Sequence, residues 1–230
     1  MFAKSHCFMK KNVVVLLLLV LVTIVGDNCF GSTDGNAEYW QEIGLDFNMD
    51  KDWKITVREE FRIGKSGDDP HLHNTDVGLV YTGFADWLDV SLNFKKEFER
   101  DSSGKFRREN RPHFNLMLKG ELYGLKVGNR SRLEYRDMET TEDNWRFRNK
   151  FTINLPFTLT EFNLQPYVSD EIFIKLGEST VNQNRFVTGL SFKLSENVKT
   201  NVYYMYKTSM SSSSGWTDTN VIGTSVVFVF

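Results

Sequence analysis

The chain has 230 residues, with 28 Lys or Arg against 30 Asp or Glu, a net charge of −2, and 40% hydrophobic residues. A charge so near balance excludes the strongly basic surface that nucleic-acid binding requires. Its two cysteines, Cys7 and Cys29, both fall in the first thirty residues, so thiol chemistry is excluded from everything downstream.

The first element in chain order is a leader. Lys4, Lys10 and Lys11 precede an unbroken apolar run from Val13 to Val25, followed by small and polar residues. That is the layout of a secretory signal peptide, and the run falls short of the ~20 residues a spanning helix needs. Residues 1–31 are therefore expected to be cleaved, with Cys29 and Gly31 as the small residues before the cut. Asp27 and Asn28 stand where a lipoprotein signal wants small residues. The mature domain, residues 32–230, keeps 25 basic and 29 acidic residues and no cysteine. A disulfide framework and a cysteine-ligated metal are excluded with them.

From Tyr39 onward about eleven strand-like segments follow, and no stretch has the 3.6-residue period of a helix. Trp53, Ile55, Val57, Phe61 and Ile63 alternate with Lys54, Thr56, Arg58, Glu60 and Arg62. Leu88, Val90, Leu92 and Phe94 alternate with Asp89, Ser91, Asn93 and Lys95. In GNRSRLEYRD, Arg130, Arg132, Glu134 and Arg136 occupy alternate positions. Trp145, Phe147, Phe151 and Ile153 alternate with Arg146, Arg148, Lys150 and Thr152, and Phe186, Leu190 and Phe192 with Arg185, Gly189 and Ser191. The chain closes on VIGTSVVFVF, where Ile222, Thr224, Val226, Phe228 and Phe230 share one face. Alternation of this kind separates a charged face from an apolar one only in a strand.

Periodicity does not say which face is inside. A soluble antiparallel sandwich buries the apolar face, and a membrane barrel buries the charged one. Three features favour the barrel. Many segments run nine to twelve residues, the length a tilted strand needs to cross a bilayer. Short turns (Asn48–Asp52, Gly83–Asp86, Lys119–Gly124, Ser195–Asn197) alternate with long polar loops (Gly64–Asn74, Glu97–Asn110, Asp137–Asn144, Lys175–Asn184, Thr208–Thr219), the asymmetry of outer-membrane barrels. Aromatics at Trp53, Trp87, Tyr135, Trp145, Phe157, Phe162 and Tyr206 fall near segment ends, where an interfacial girdle sits. The expected fold is all-β, an antiparallel up-and-down transmembrane barrel of about 10–12 strands. With both ends in the periplasm the number should be even, ten or twelve, so that either a short strand near Asn36 adds to the eleven, or the first segment is not a wall strand, or the closure is unusual.

The segment WQEIGLDFNMDKDWKITVREEFRI, with Trp40, Trp53, Glu60 and Arg62, resembles the start of an uncharacterised bacterial outer-membrane family, the domain of unknown function 2490. NRSRLEYRD, WRFRNKFTI, LQPYVSDEIFI and NQNRFVTGLSFKLSENVKTNVYYMY are similar to later parts of it. The resemblance implies an outer-membrane location and a barrel fold. It transfers no activity.

The candidate functional feature is the charge ladder that would line the lumen: Arg58, Glu60, Arg62, Arg130, Arg132, Glu134, Arg136, Arg146, Arg148, Glu171 and Arg185. On this assignment about sixteen lumenal positions are Lys or Arg and about eight Asp or Glu. Such a ladder fits either a narrow anion-preferring channel or a structural barrel plugged by salt bridges. Two other classes compete with it, a lipid-modifying outer-membrane enzyme and a soluble periplasmic β-sandwich that binds ligands. For the enzyme, the available groups are His71 and His73 beside Asp68 and Asp69, His113, and the serines Ser209–Ser214. None sits in a nucleophile motif, so no catalytic residue, cofactor or metal is expected. The acidic run Asp137, Glu139, Glu142 and Asp143 reads as a solvated tip. Expected partners are outer-membrane lipids and lipopolysaccharide, together with the assembly machinery, which would read Phe228 and Phe230 in the last strand. No nucleic acid is expected.

Overall fold

The structure is a computed structural model that describes residues 37–64, 70–160, 163–178, 180–211 and 215–230. The signal peptide at 1–31 and the extra strand sought near Asn36 lie outside the described residues. Eleven strands make one sheet: β1 (Ala37–Asn48), β2 (Trp53–Ile63), β3 (Pro70–Ala85), β4 (Leu88–Arg100), β5 (Phe106–Leu122) and β6 (Leu125–Met138), then β7 (Asn144–Asn154), β8 (Gln165–Lys175), β9 (Thr180–Ser195), β10 (Val198–Ser211) and β11 (Gly215–Val229). Each pairs antiparallel with its neighbour in sequence, and β11 returns to β1, so the sheet is a closed barrel. A two-layer sandwich is thereby overturned.

Eleven strands lie within the expected range, but the expected even parity does not hold. In an up-and-down sheet with an odd count, the first and last strands run the same way. The closing pair is accordingly parallel, Ala37–Asp46 against Asn220–Val229. Ala37 and Val229 thus stand at opposite ends of the barrel.

The long polar loops also shrink. Residues 70–74, 97–100, 106–110, 180–184 and 215–219 are strand, because polar side chains do not interrupt a ladder whose hydrogen bonds are made by backbone. What remains between β4 and β5 is 101–105, and between β6 and β7 only 139–143. At the opposite end the connections 86–87, 123–124 and 196–197 are two residues each, while 155–164 is longer. Tyr123 and Gly124 both have positive φ (52° and 79°), the pair a type I′ hairpin turn needs.

The side-chain alternation is inverted relative to a soluble domain. Asn74, Asp76, Glu97, Glu109, Arg111, Arg132, Glu134 and Glu171 are buried, whereas Leu79, Leu92, Phe94, Phe114, Leu116 and Phe151 are exposed, Leu92 to 66%. The charged face points into the barrel and the apolar face outward. Inside, among the described residues, one small apolar cluster forms, from Trp40, Val187, Met205 and Val221 with Tyr167 and Tyr203 packed against it. Its geometry comes from a cross-strand row in which aromatics alternate with glycines: Tyr167, Gly189, Tyr203, Gly223 and Trp40 pair in sequence across β8, β9, β10, β11 and β1. A Cβ on Gly223 would lie 2.0 Å from the Tyr203 ring, so the ring can lie flat only because no side chain is there.

Gly223→Ala should therefore displace Tyr203 and lower stability by roughly 1–3 kcal/mol, the usual cost of overpacking. The control is Gly120→Ala, whose Cβ would meet only Val127 at 3.7 Å. A urea-unfolding midpoint in detergent that drops for Gly223→Ala and holds for Gly120→Ala is the expected outcome.

Candidate functional site

The barrel encloses a cavity of about 720 Å³ whose lining runs along β4 from Asp89 to Glu99 and along β10 from Asn201 to Ser209. Ten residues of strand cover roughly 33 Å, or about 25 Å along the axis at the usual tilt of about 40°. The cavity is therefore narrow. Twelve of its lining side chains are Lys or Arg and seven are Asp or Glu. Arg58, Glu60, Arg62, Arg130, Arg132, Arg136, Arg146, Arg148, Glu171 and Arg185 all line it. Glu134 lies behind them, with no side-chain exposure.

Much of the charge is tied into two ionic clusters that together span β4 to β8. Glu134 accepts from Arg146 at 2.6 Å, Arg148 at 2.8 Å and Arg132 at 3.4 Å. Arg148 passes on to Glu171 at 2.9 Å, and Glu171 also accepts from Arg130 at 2.7 Å. A second cluster joins Glu97, Arg111, Glu109 and Arg136: Arg111 donates to Glu97 at 2.9 Å and to Glu109 at 2.7 Å, and Arg136 grips Glu109 with two nitrogens at 2.7 Å each. A planar guanidinium, with five donors in a fixed fork, can grip one carboxylate with two parallel bonds or bridge two at once, a geometry that the point charge of an ammonium does not impose. Neutral groups continue the net, for Arg132 donates to Asn115 (2.6 Å), and Asn115 to Ser91 and Asn93.

Rings are a further set of partners for the lumenal cations, beside carboxylate pairs such as Arg62 with Glu60 at 2.7 Å and Lys207 with Glu38 at 3.2 Å. The guanidinium carbons of Arg148, Arg185 and Arg146 lie 4.4, 4.6 and 5.3 Å from the centroid of Phe173. Arg62 lies 3.7 Å from the Trp40 centroid and Arg185 4.9 Å from it. Such stacking holds a cation without cancelling its charge. Lys95, Lys150 and Arg185 all line the cavity, and none has a carboxylate of the described residues within 4.0 Å.

Several contributors escaped sequence reading. Glu97, Glu109 and Arg111 are buried network members, hidden because Glu97–Asn110 reads as a loop. The signal was present in the alternation of Arg107, Glu109, Arg111, His113 and Asn115. The candidate catalytic groups scatter. His73 faces outward in a stack with Phe98 (4.9 Å) and Phe61 (6.4 Å). His113 is inside, its Nε2 3.4 Å from Asp76. Ser209 lines the cavity, and Asp68, Asp69 and Ser212–Ser214 lie outside the described residues. Among the described residues no three His, Cys, Asp or Glu are grouped to hold a metal.

In the acidic loop, Asp143 accepts from the Met138 amide at 3.0 Å and from the Tyr135 hydroxyl at 2.7 Å, bonds that hold its carboxyl below the usual range. Glu139 accepts from the Arg108 amide at 2.8 Å. Phe230 stacks on Phe47 at 5.1 Å, and its carbonyl accepts from the amide of Asn48 at 3.0 Å.

Removing the charge of Glu134 leaves three guanidiniums without their acceptor, and breaking a buried ionic cluster costs roughly 3–5 kcal/mol. Glu134→Gln should lower the unfolding midpoint in detergent by that order, whereas Lys150→Gln, which breaks no ion pair, should leave it nearly unchanged. Equal midpoints for the two variants would refute the load assigned to Glu134.

No curated protein matches the chain. Among solved structures, one titled "NanC porin structure in rhombohedral crystal form" is similar at 12% identity, with a TM-score of 0.46, over 74% of this chain and 84% of that one. The model of the family described as "Protein of unknown function (DUF2490)" matches residues 37–218, and the chain belongs to that family.

Proposed function

We propose that this protein is an outer-membrane β-barrel of a Gram-negative bacterium, exported by its signal peptide, whose lumen is a narrow passage that prefers anions. The membrane half of the reading is supported by the inverted faces: exposed Leu, Phe and Val outside and ion pairs within. A closed barrel also leaves no sheet edge unpaired, the condition for a β-structure to span lipid. Outer-membrane lipid and lipopolysaccharide would bathe the apolar wall, and Phe228 and Phe230 on β11 would be the part of the chain that the assembly machinery reads.

The observation that carries the anion preference is the lining itself, twelve cations against seven anions, with Lys95, Lys150 and Arg185 lacking a carboxylate neighbour. Rings of basic side chains draw anions into a pore and repel cations. A second reading is favoured by the network on Glu134: a structural barrel whose lumen is filled by salt bridges. No catalytic role is assigned. A lipid-modifying enzyme would need a nucleophile beside a base, and His73 and His113 point to opposite faces of the wall.

The membrane placement is tested by paired substitutions on β2. Val57 faces outward and Thr56 lines the cavity. Val57→Arg should hinder insertion, costing roughly 2–4 kcal/mol near the midplane, with Thr56→Arg far better tolerated. Equal outer-membrane yields of the two would show that the outer wall is not in lipid.

The anion preference is tested by reversal potential in planar bilayers under a salt gradient. Wild type should be anion-selective, and Lys150→Gln with Arg185→Gln should reduce the preference while keeping the barrel folded. These two residues are the right targets because Arg132 and Arg148 belong to the Glu134 network, so changing them confounds selectivity with stability. Folded protein that conducts nothing would exclude the channel and leave the salt-bridged barrel.

A further inference from the structure

The outer wall is not uniformly apolar. On β4 and β5 it presents Leu92, Phe94, Phe114 and Leu116, all exposed. On β6 to β9 the same belt is interrupted. Ser131, Asn149, Ile172 and Asn184 pair in one cross-strand row, and Asn129, Phe151 and Asp170 in the next. Their parity is opposite to that of Arg130, Arg132, Arg148 and Glu171, so they face outward. Apolar rows bound them on both sides, Leu133–Phe147–Ile174 towards one end and Val127–Ile153–Val168 towards the other. The polar patch therefore sits within the belt, away from its rims.

Its hydrogen bonds are only partly made. Asn129 and Asn149 bond reciprocally, each amide nitrogen donating to the other's oxygen at 3.0 Å, and Asn149 also donates to the Ser131 hydroxyl at 3.0 Å. That leaves one Asn129 N–H and the Ser131 O–H as free donors on β6. Across the patch, Asn184 donates to Oδ1 of the exposed Asp170 at 3.0 Å. The second Asp170 oxygen and the Asn184 carbonyl remain as free acceptors on β8 and β9, beside the second Asn184 N–H. Hydrocarbon offers nothing to either set, and leaving such groups bare is costly.

The two halves complement each other. We propose that this wall is a self-association surface, on which a second copy of the chain docks with its β6 donors against the first copy's β8 and β9 acceptors. A two-fold axis along the membrane normal, passing near Ile172 between the halves, satisfies both sets at once, because an isologous contact applies each pairing twice. This rests on the membrane reading above, since in water the same groups would simply be hydrated. Polar side chains between spanning elements are a known adhesive in lipid.

The experiment uses the full-length barrel in native outer membranes and in mild detergent. Ile172→Cys near the axis should give a disulfide-linked dimer on oxidation, and Leu116→Cys on the apolar wall should not. The mass of the protein in detergent, from light scattering after size exclusion, should be that of a dimer. Asn149→Leu with Asp170→Leu should weaken association on the order of tenfold or more, while heat-modifiable migration shows that the barrel stays folded. Membrane-inserted wild type that is monomeric and shows no Ile172→Cys crosslink would overturn the proposal. So would a crosslink formed only to a different polypeptide. Protein absent from the membrane fraction would instead overturn the membrane reading, so the two failures are distinguishable. If the double variant does not fold, the Ile172→Cys result still decides, because it leaves the patch intact.

Discussion

Glu134 is a carboxylate with no exposure, and Arg132, Arg146 and Arg148 converge on it from β6 and β7. An ion taken out of water costs several kcal/mol even after relaxation, and only multiple well-placed partners offset that cost. The strands carrying those partners must therefore hold one register. A slip of one residue would turn every guanidinium of that strand outward. Through Arg148 and Glu171 the constraint reaches β8, and a second cluster of Arg136, Glu109, Arg111 and Glu97 ties β6 to β5 and β4 in the same way. In this barrel ion geometry does the aligning that apolar packing does in a soluble core.

The remaining wall solves the filling problem differently. From β8 round to β1 the lumen is occupied by rings, with Tyr167, Tyr203 and Trp40 seated beside Gly189 and Gly223. Arg185 stands at the border of the two regions. It stacks on both Phe173 and Trp40 but has no carboxylate at bonding distance, so it is positioned by the aromatic wall while its charge stays available. The preference proposed for the passage thus arises at this border more than in the arginine ladder. The ladder is cationic residue by residue, but its charge is largely spent on Glu134, Glu171, Glu109 and Glu97.

Much of this was legible in the alternation. A period of two placed Arg58, Glu60 and Arg62 on one face of β2 and Val57 on the other, and it did the same for Arg146 and Arg148 on β7. Three things were not legible, each for a physical reason. Strand ends rich in Lys, Glu and Asn resemble loops, because composition is a poor guide where no side chain need be buried in apolar surroundings; this hid Glu97, Glu109 and Arg111. The parity of the barrel is a property of closure between β1 and β11, and no local pattern records which strand pairs with which across the whole chain. Phe173 shares the parity of Glu171 and so falls inside, but that it and Trp40 fill the lumen as stacking partners for cations depends on strands brought together only by closure.

An inverted barrel gains little from hiding its apolar belt in water, so the belt should be read as a statement about its solvent. Where that solvent is hydrocarbon, each outward side chain is judged by what it can bond locally. Tyr39 and Thr224 meet this test as a pair, their hydroxyls 2.7 Å apart across the closing seam. Tyr204 meets it through Asn220 at 2.6 Å. Asp170 does so with one oxygen only, and Asn129 with one of its two N–H groups. Several outer polar groups of β10, β11 and β1 are thus closed within the chain, although the Thr200 hydroxyl has no partner. Those of β6 to β9 stay open, with two donors left on β6 and, on β8 and β9, two acceptors beside one N–H. A single barrel in lipid has no internal use for that separation, whereas two barrels related by a two-fold axis bring each set against its opposite.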